Sequence, residues 1–305
     1  MPRPIIIDTD PGIDDAVAIL LALASPELAV LGLVAVAGNL PLAATARNAR
    51  SIVELAGRPG VPVYAGCPRP MGPDRADAKH AHGVAGLGDL ALPEPAGMVR
   101  PEHGVAYLIE TLRRAAPGSV TICALGPLTN IATALVMAPD IADGVAELVV
   151  MGGGTHGNAT PAAEFNIHVD PQAAALVFDS GLPITMVPLD ATERVLATPE
   201  RAERLRRLGT SCGDAVATLI GPRGALGQPP MAMHDPCVIA YLLAPELCRC
   251  REAHVSVETG SALTMGMTVV ERRNRGDRAP NARFIEAIDA DGFFRLLAER
   301  IARLR

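Results

Sequence analysis

Tryptophan is absent from this 305-residue chain and aromatic residues make up only 3% of it, so no pocket here stacks a ligand ring against an indole. Lysine occurs once, at Lys79. The six cysteines, at positions 67, 123, 212, 237, 248 and 250, include no CxxC pair, which removes the usual zinc-ligand spacing. Cys123 and Cys237 fall in apolar segments and read as core, Cys248 and Cys250 are too close together for a comfortable disulfide, and reduced thiols are expected. No apolar run spans a bilayer: residues 16–24 are too few, and later runs are broken by Gly, Pro or charge. The chain opens MPRP and enters strand-like sequence at once, leaving no room for a signal peptide, so a cytoplasmic protein without membrane attachment is expected. With net charge −6 and no basic stripe interleaved with aromatics, nucleic acid is excluded as a partner. The arginines at 272, 273, 275, 278 and 283 read as a solvated loop.

What the chain does have is apolar sequence, 49% against 20% charged, enough for one large α/β domain over residues 1–305. Strand-like runs at 5–9, 30–37, 61–65, 120–125, 148–151 and 184–189 alternate with helical stretches near 14–24, 42–56, 102–116, 128–137 and 171–180. That alternation predicts an α/β fold: a mostly parallel, open central sheet with helices on both faces. Two stretches break the rhythm, 67–101 and 210–233. Both are rich in Gly and Pro, the second around a short helical piece, and loops of that length in a compact domain are usually functional lids. Strand-like runs at 254–258, 264–271 and 283–289, then a helix over 291–304, are expected to extend the sheet's edge and cover it.

Asp8, Asp10, Asp14 and Asp15 crowd around a Pro11-Gly12 turn directly after the run Ile5-Ile6-Ile7. The acids therefore sit at a strand's carboxyl end, where open α/β sheets bind ligands, and two of them fall at a helix N-terminus. A capped helix needs one acid rather than four. Oxygen-only ligands point to a hard cation, Ca²⁺ or Mg²⁺, rather than zinc.

The string DTDPGIDDA at 8–16 resembles the N-terminal signature of the inosine-uridine preferring nucleoside hydrolases, a family of ribonucleoside N-glycosidases. Further matches follow in the family's order: AGN from Ala37, HGVAGL from His82, LGPLTNIA from Leu125, VMGGG from Val150, GNATPAAEFNIHVDP from Gly157, HDP from His234 and GMTVVERR from Gly266. The resemblance implies a Rossmann-like nucleoside hydrolase fold, a homodimer or homotetramer, and Ca²⁺-dependent hydrolysis of ribonucleosides to ribose and free base. It implies that Asp10 is both the base that deprotonates the attacking water and a metal ligand, joined by the carboxylates of Asp15 and Asp235 and the backbone carbonyl of Leu125. Relatives often carry Thr at that last position, a difference of little consequence where the main chain is the ligand.

By the same resemblance Asp14 binds the ribose hydroxyls, Asn39 contacts the ribose, and Met151 packs against it. Asn158, Glu164 and Asn166 hydrogen-bond the sugar, especially its 5′ end. His82, in the first long loop, contacts substrate, and His234 protonates the departing base, a step within reach of histidine at neutral pH. His80 reads as exposed, and His103, His156, His168 and His254 receive no role. Members of the purine-specific branch stack the base against Trp, which this chain lacks, and Tyr64, Tyr107 and Tyr241 read as core. A pyrimidine or inosine-uridine type preference is therefore expected.

Two alternatives stand beside this reading. A DxD after a first strand also opens the haloacid-dehalogenase-like Mg²⁺ phosphotransferases, but these need a later lysine, and Lys79 lies in a loop. A non-catalytic nucleoside-binding protein would lose Asp10 or a metal carboxylate. This chain retains them all.

Overall fold

The computed structural model describes residues 1–73, 86–221, 230–271 and 278–304. Twelve strands lie among them: β1 (Arg3–Thr9), β2 (Leu28–Ala35), β3 (Val63–Ala65), β4 (Val120–Ala124), β5 (Val145–Met151), β6 (Ile184–Val187), β7 (Leu196–Ala197), β8 (Met231–Ala232), β9 (Cys248–Ala253), β10 (Val255–Val257), β11 (Thr268–Val270) and β12 (Ala282–Ile288). Eight form one sheet in the order β3-β2-β1-β4-β5-β6-β12-β9, parallel throughout except for β9 at one edge.

Alternation along the central strands explains the layers. Ile5 and Ile7 enter one core cluster together with Leu33, Cys123, Val149, Val187 and Ile285, whereas Ile6 enters the other with Val34, Ile122, Val150 and Phe284. Successive strand side chains point to opposite faces. Because both faces are covered, the strands read as continuous apolar runs rather than alternating ones. Helices Ile13–Leu23, Ser211–Ile220, Pro236–Leu243 and Ala290–Ile301 cover the first face, and Gly104–Arg114, Thr129–Met137 and Pro171–Phe178 the second.

Chain progression reverses at β1. From it the sheet runs to β2 and β3 on one side and to β4, β5 and β6 on the other. Residues leaving β1 and β4 thus border the crevice at the strands' carboxyl ends, the usual ligand position in such sheets.

The expected strands and helices of the first two-thirds are all present, but the tail differs from expectation. The runs at 254–258 and 264–271 pair with each other as an antiparallel hairpin, β10 with β11, outside the main sheet. β12 is an interior strand between β6 and β9. The edge is instead β9, CRCREA, whose alternating arginines hide a strand from hydropathy while guarding an edge against mispairing. Helix Ser211–Ile220 occupies the start of the expected second lid, and its buried Cys212, Val216 and Leu219 make it core packing. Residues 222–229 of that lid and 74–85 of the first lie outside the described residues.

Smaller corrections concern individual residues. Arg283, expected in a solvated loop, lies in β12 and donates to Tyr241 Oη at 2.8 Å. Arg278 donates to Ser256, while Arg272, Arg273 and Arg275 fall outside the described residues. Tyr241 is buried as expected, but Tyr64 and Tyr107 are only half-buried, stacked on each other with centroids 3.9 Å apart. All six cysteines are free thiols, Cys123 and Cys237 buried in the core.

Phe284 tests the interior position of β12, since it faces Met186 of β6 and Arg251 of β9 and is fully buried. Phe284→Ala is expected to cost about 3–5 kcal/mol in urea unfolding. A loss below ~1 kcal/mol would belong to an exposed edge strand instead.

Candidate functional site

The chain leaves β1 at Thr9, turns at Pro11-Gly12 and enters helix Ile13–Leu23 with Asp14 and Asp15 in its first turn. Asp15 reaches back to the turn, accepting from Gly12 N–H at 2.9 Å, an arrangement that satisfies one of the donors a helix start leaves open. Its carboxylate also accepts from Thr9 Oγ1 at 2.5 Å, Asp10 N–H at 3.2 Å and Asn39 Nδ2 at 3.3 Å. Four donors fix one side chain.

Asn39, just past β2, holds its neighbour as firmly. Its N–H donates to Asp10 Oδ2 at 2.6 Å and its side-chain amide to the Asp10 carbonyl at 3.2 Å. Asp10 Oδ1, fully buried, has no hydrogen-bond partner among the described residues. Room for that carboxylate depends on two glycines absent from the sequence-based site. A Cβ at Gly126 would lie about 2.5 Å from Asp10 Oδ1, and one at Gly38 would overlap Asp10 Oδ2. Both glycines sit inside motifs already noted, in AGN and LGPLTN, but a close approach to Asp10 has no signal in one sequence.

Asp235 comes from the far end of the chain, at the N-terminus of helix Pro236–Leu243, where the helix dipole favours negative charge. Oxygens of Asp14, Asp15 and Asp235 all lie within 4.8 Å of one another. The tight trio therefore contains Asp14 rather than Asp10, which stands beside it. Burial pushes the Asp235 carboxyl well above its usual range, reinforced by the charges of Asp14, Asp15 and Asp10. Asp10 is likewise raised, by burial first and then by Asp15. Carboxylates gathered out of water destabilise one another unless something positive joins them. An unpartnered buried oxygen, three converging carboxylates and an all-oxygen donor set fit a hard divalent cation.

The other side of the crevice is built after β4 and β5. Asn166 donates through Nδ2 to the Leu125 carbonyl at 2.7 Å and to the Met151 carbonyl at 3.1 Å, joining the ends of the two strands. Glu164 caps helix Phe165–Val169, accepting from Asn166 N–H at 3.0 Å, Ile167 N–H at 3.2 Å and Gly153 N–H at 2.9 Å. Burial lifts its carboxyl to about 7, against the lowering pull of those three donors. Met151 is buried at the end of β5. Asn158 is exposed, and its Oδ1 accepts from Phe165 N–H at 2.9 Å.

His234 is half-buried, with Nδ1 2.8 Å from the hydroxyl of fully buried Thr192. That threonine orients the ring, and sequence reasoning missed it. His80 and His82 lie outside the described residues. The remaining histidines have structural partners: His103 accepts from Val105 N–H, His156 lies 2.9 Å from Glu193, His168 3.3 Å from the Met265 carbonyl and His254 2.8 Å from the Ala279 carbonyl.

Asp8, the fourth acid of the opening cluster, is in β1 and away from the trio. Its Oδ2 accepts from Asn130 Nδ2 at 2.8 Å, and burial raises its carboxyl to about 8. The folded protein thus retains a proton that the unfolded chain releases above its ordinary 3.8. Stability contributed by this site is lost as pH rises from about 4 to about 8. In metal-free protein, Asp8→Asn should flatten that part of the urea-stability profile, the wild type losing ground to the variant between pH ~5 and ~8. Parallel profiles would mean that Asp8 is ionised throughout.

Among the described residues no helix is long and apolar enough to cross a membrane. Residues 5–295 match the family model for inosine-uridine preferring nucleoside hydrolase. The chain is 44% identical over 307 residues to an uncharacterized Schizosaccharomyces pombe protein, covering 98% of this chain and 99% of that one. It is 43% identical over 312 residues to the pyrimidine-specific ribonucleoside hydrolase RihA of Citrobacter koseri, covering 99% of each. Among solved structures it resembles the plant nucleoside hydrolase PpNRh1, at 32% identity and TM-score 0.91 over 99% of both chains. The purine-preferring ribonucleoside hydrolase from Gardnerella vaginalis follows at 30% identity and TM-score 0.90 over 98% of both. With its sheet and nearly its whole length matched, the chain belongs to the inosine-uridine preferring nucleoside hydrolase family, the ribonucleoside N-glycosidases.

Proposed function

We propose that this enzyme hydrolyses ribonucleosides, pyrimidine or inosine-uridine in preference, to ribose and free base with Ca²⁺ as its cofactor. The observation that carries the reading is the unpartnered, buried Oδ1 of Asp10 beside the Asp14, Asp15 and Asp235 trio. Asp10, Asp15, Asp235 and the Leu125 carbonyl, the set that the resemblance implies, would hold the cation, with Asp14 close beside them. Ca²⁺ takes six to eight oxygens, so ribose hydroxyls and water have room beside these protein ligands. When bound, it supplies a positive charge that orients the sugar and acidifies water nearby.

The protein's own groups do the rest. Asp10 takes a proton from the attacking water as that oxygen bonds to the anomeric carbon, while the electrons of the breaking C–N bond leave with the base. His234, oriented by Thr192, gives the departing base a proton. Asp14 and Asn39 bind the ribose face, and Met151, Asn158, Glu164 and Asn166 line the remainder of the nucleoside site; the substrate contact that the resemblance implies for His82 falls outside the described residues. No residue serves as covalent nucleophile, so the anomeric centre inverts. The pyrimidine-specific label of the RihA relative, at 43% identity, supports the base preference. Assembly as a homodimer or homotetramer in the cytoplasm completes the proposal.

A panel of ribonucleosides assayed for released ribose, with and without added Ca²⁺, tests the whole reading. Uridine or inosine is expected to be cleaved, and chelation to abolish turnover reversibly and lower Tm, since an ion bound only to the folded state stabilises it. Asp10→Asn should abolish turnover while weakening substrate binding less. Near-native turnover in that variant would overturn the assignment of the base. 2′-Deoxyuridine should be poorer than uridine by roughly 100-fold in kcat/KM, because polar groups that meet the hydroxyl lose their partner.

His234→Ala separates the two leaving-group classes. Its loss should be larger on inosine than on uridine, because purine departure gains more from ring protonation. Equal losses would remove His234 as the proton donor and leave it a pocket-lining role.

A further inference from the structure

The GMTVVERR motif has no part in the chemistry above, yet its threonine reaches the nucleoside site. We infer that Thr268 is a positioning residue, the clamp through which the β10–β11 hairpin fixes the Gly152-Gly153-Gly154 turn and, through that turn, Glu164. This rests on the ribonucleoside reading, in which Glu164 lines the sugar site.

The contacts are specific. Thr268 is buried, and its hydroxyl both accepts from Gly154 N–H at 2.8 Å and donates to the Gly154 carbonyl at 2.6 Å. One side chain thus satisfies both backbone groups of one residue. The preceding residue, Gly153, donates its N–H to Glu164 Oε2 at 2.9 Å and takes φ +70°, a conformation that favours glycine. A Cβ at Gly153 would strike the side chains of Thr268 and Met186, so turn and threonine are fitted to each other.

A run of three glycines has no side chains with which to pack itself into place, and its backbone loses the most entropy on ordering. Something outside the turn must hold it. The hairpin does so and also braces the next element: the Met265 carbonyl lies 3.3 Å from His168 Nδ1, and a Cβ at Gly266 would come within 3.0 Å of the His168 backbone. His168 belongs to the helix that Glu164 caps. The hairpin therefore grips the sugar-binding segment at two points, the turn before Glu164 and the helix after it.

Thr268→Val keeps the shape and removes the hydroxyl, leaving the buried Gly154 N–H and carbonyl unpaired; Thr268→Ser restores both bonds. In amide hydrogen exchange on the full chain, Gly153 and Gly154 should be protected in the wild type, exchange about tenfold faster in Thr268→Val, and return to within about threefold in Thr268→Ser. Kinetically, Thr268→Val should raise KM for uridine about tenfold with kcat within about threefold, again reversed by Ser. Simple unfolding of part of the sample would instead lower kcat at constant KM. The Ca²⁺-dependent rise in Tm should be unchanged, since the carboxylates sit on other elements. An unprotected Gly154 amide in the wild type, equal exchange in the Val variant, or a KM that stays put would each overturn the clamp. A wild type that cleaves no ribonucleoside would overturn the functional reading instead, while the exchange measurement would still decide whether Thr268 holds the turn.

Discussion

Negative charge concentrated where water is nearly excluded is the constraint around which the crevice is arranged. Asp10, Asp15 and Asp235 are each buried, and burial and mutual repulsion raise the carboxyls of Asp10 and Asp235. The surrounding structure opposes that cost with directed donors: four on Asp15, the Asn39 backbone on Asp10, and a helix N-terminus beneath Asp235. Donors of this kind lower the penalty of a buried anion without removing it. What they leave unsatisfied, the Asp10 Oδ1, marks the place where a cation has most to offer.

The sheet order is what brings these groups together. Asp10 leaves β1 and Leu125 leaves β4, adjacent strands with chain connections running to opposite sides, so neither crossover helix covers the gap between them. Asp235 arrives more than 220 residues after Asp10. Its contribution makes the site a product of the whole fold rather than of the opening motif. Truncating the chain anywhere before that helix would leave the cluster without one of its three converging carboxylates.

Much of this was legible in the sequence, for definable reasons. Parallel strands buried on both faces announce themselves as apolar runs, so β1, β2, β4, β5 and β6 and the helices between them fall where the alternation put them. β9 was missed because its alternating arginines hide it from hydropathy, and the place of β12 inside the sheet, between β6 and β9, leaves no local trace in the sequence. At the site, the carboxylates and asparagines were found through their motifs. Thr9, Thr192 and Thr268 were not, because a threonine that serves as a buried hydrogen-bonding partner looks like any strand or helix threonine until its partner is placed. The glycines beside Asp10 escaped for a similar reason: what matters there is an absent side chain, and it matters only to an atom distant in sequence.

Asn166 carries a consequence for how members of this family diverge. By donating to the carbonyls of both Leu125 and Met151, one amide sets the spacing between the exits of β4 and β5. Two hydrogen bonds from a single nitrogen thereby gauge this side of the crevice, which in the function proposed above faces the ribose whichever base is attached. In that proposed function, one rigid gauge would serve the common part of the substrate and other segments the part that differs, a division that suits a fold shared with a pyrimidine-specific relative and a purine-preferring one.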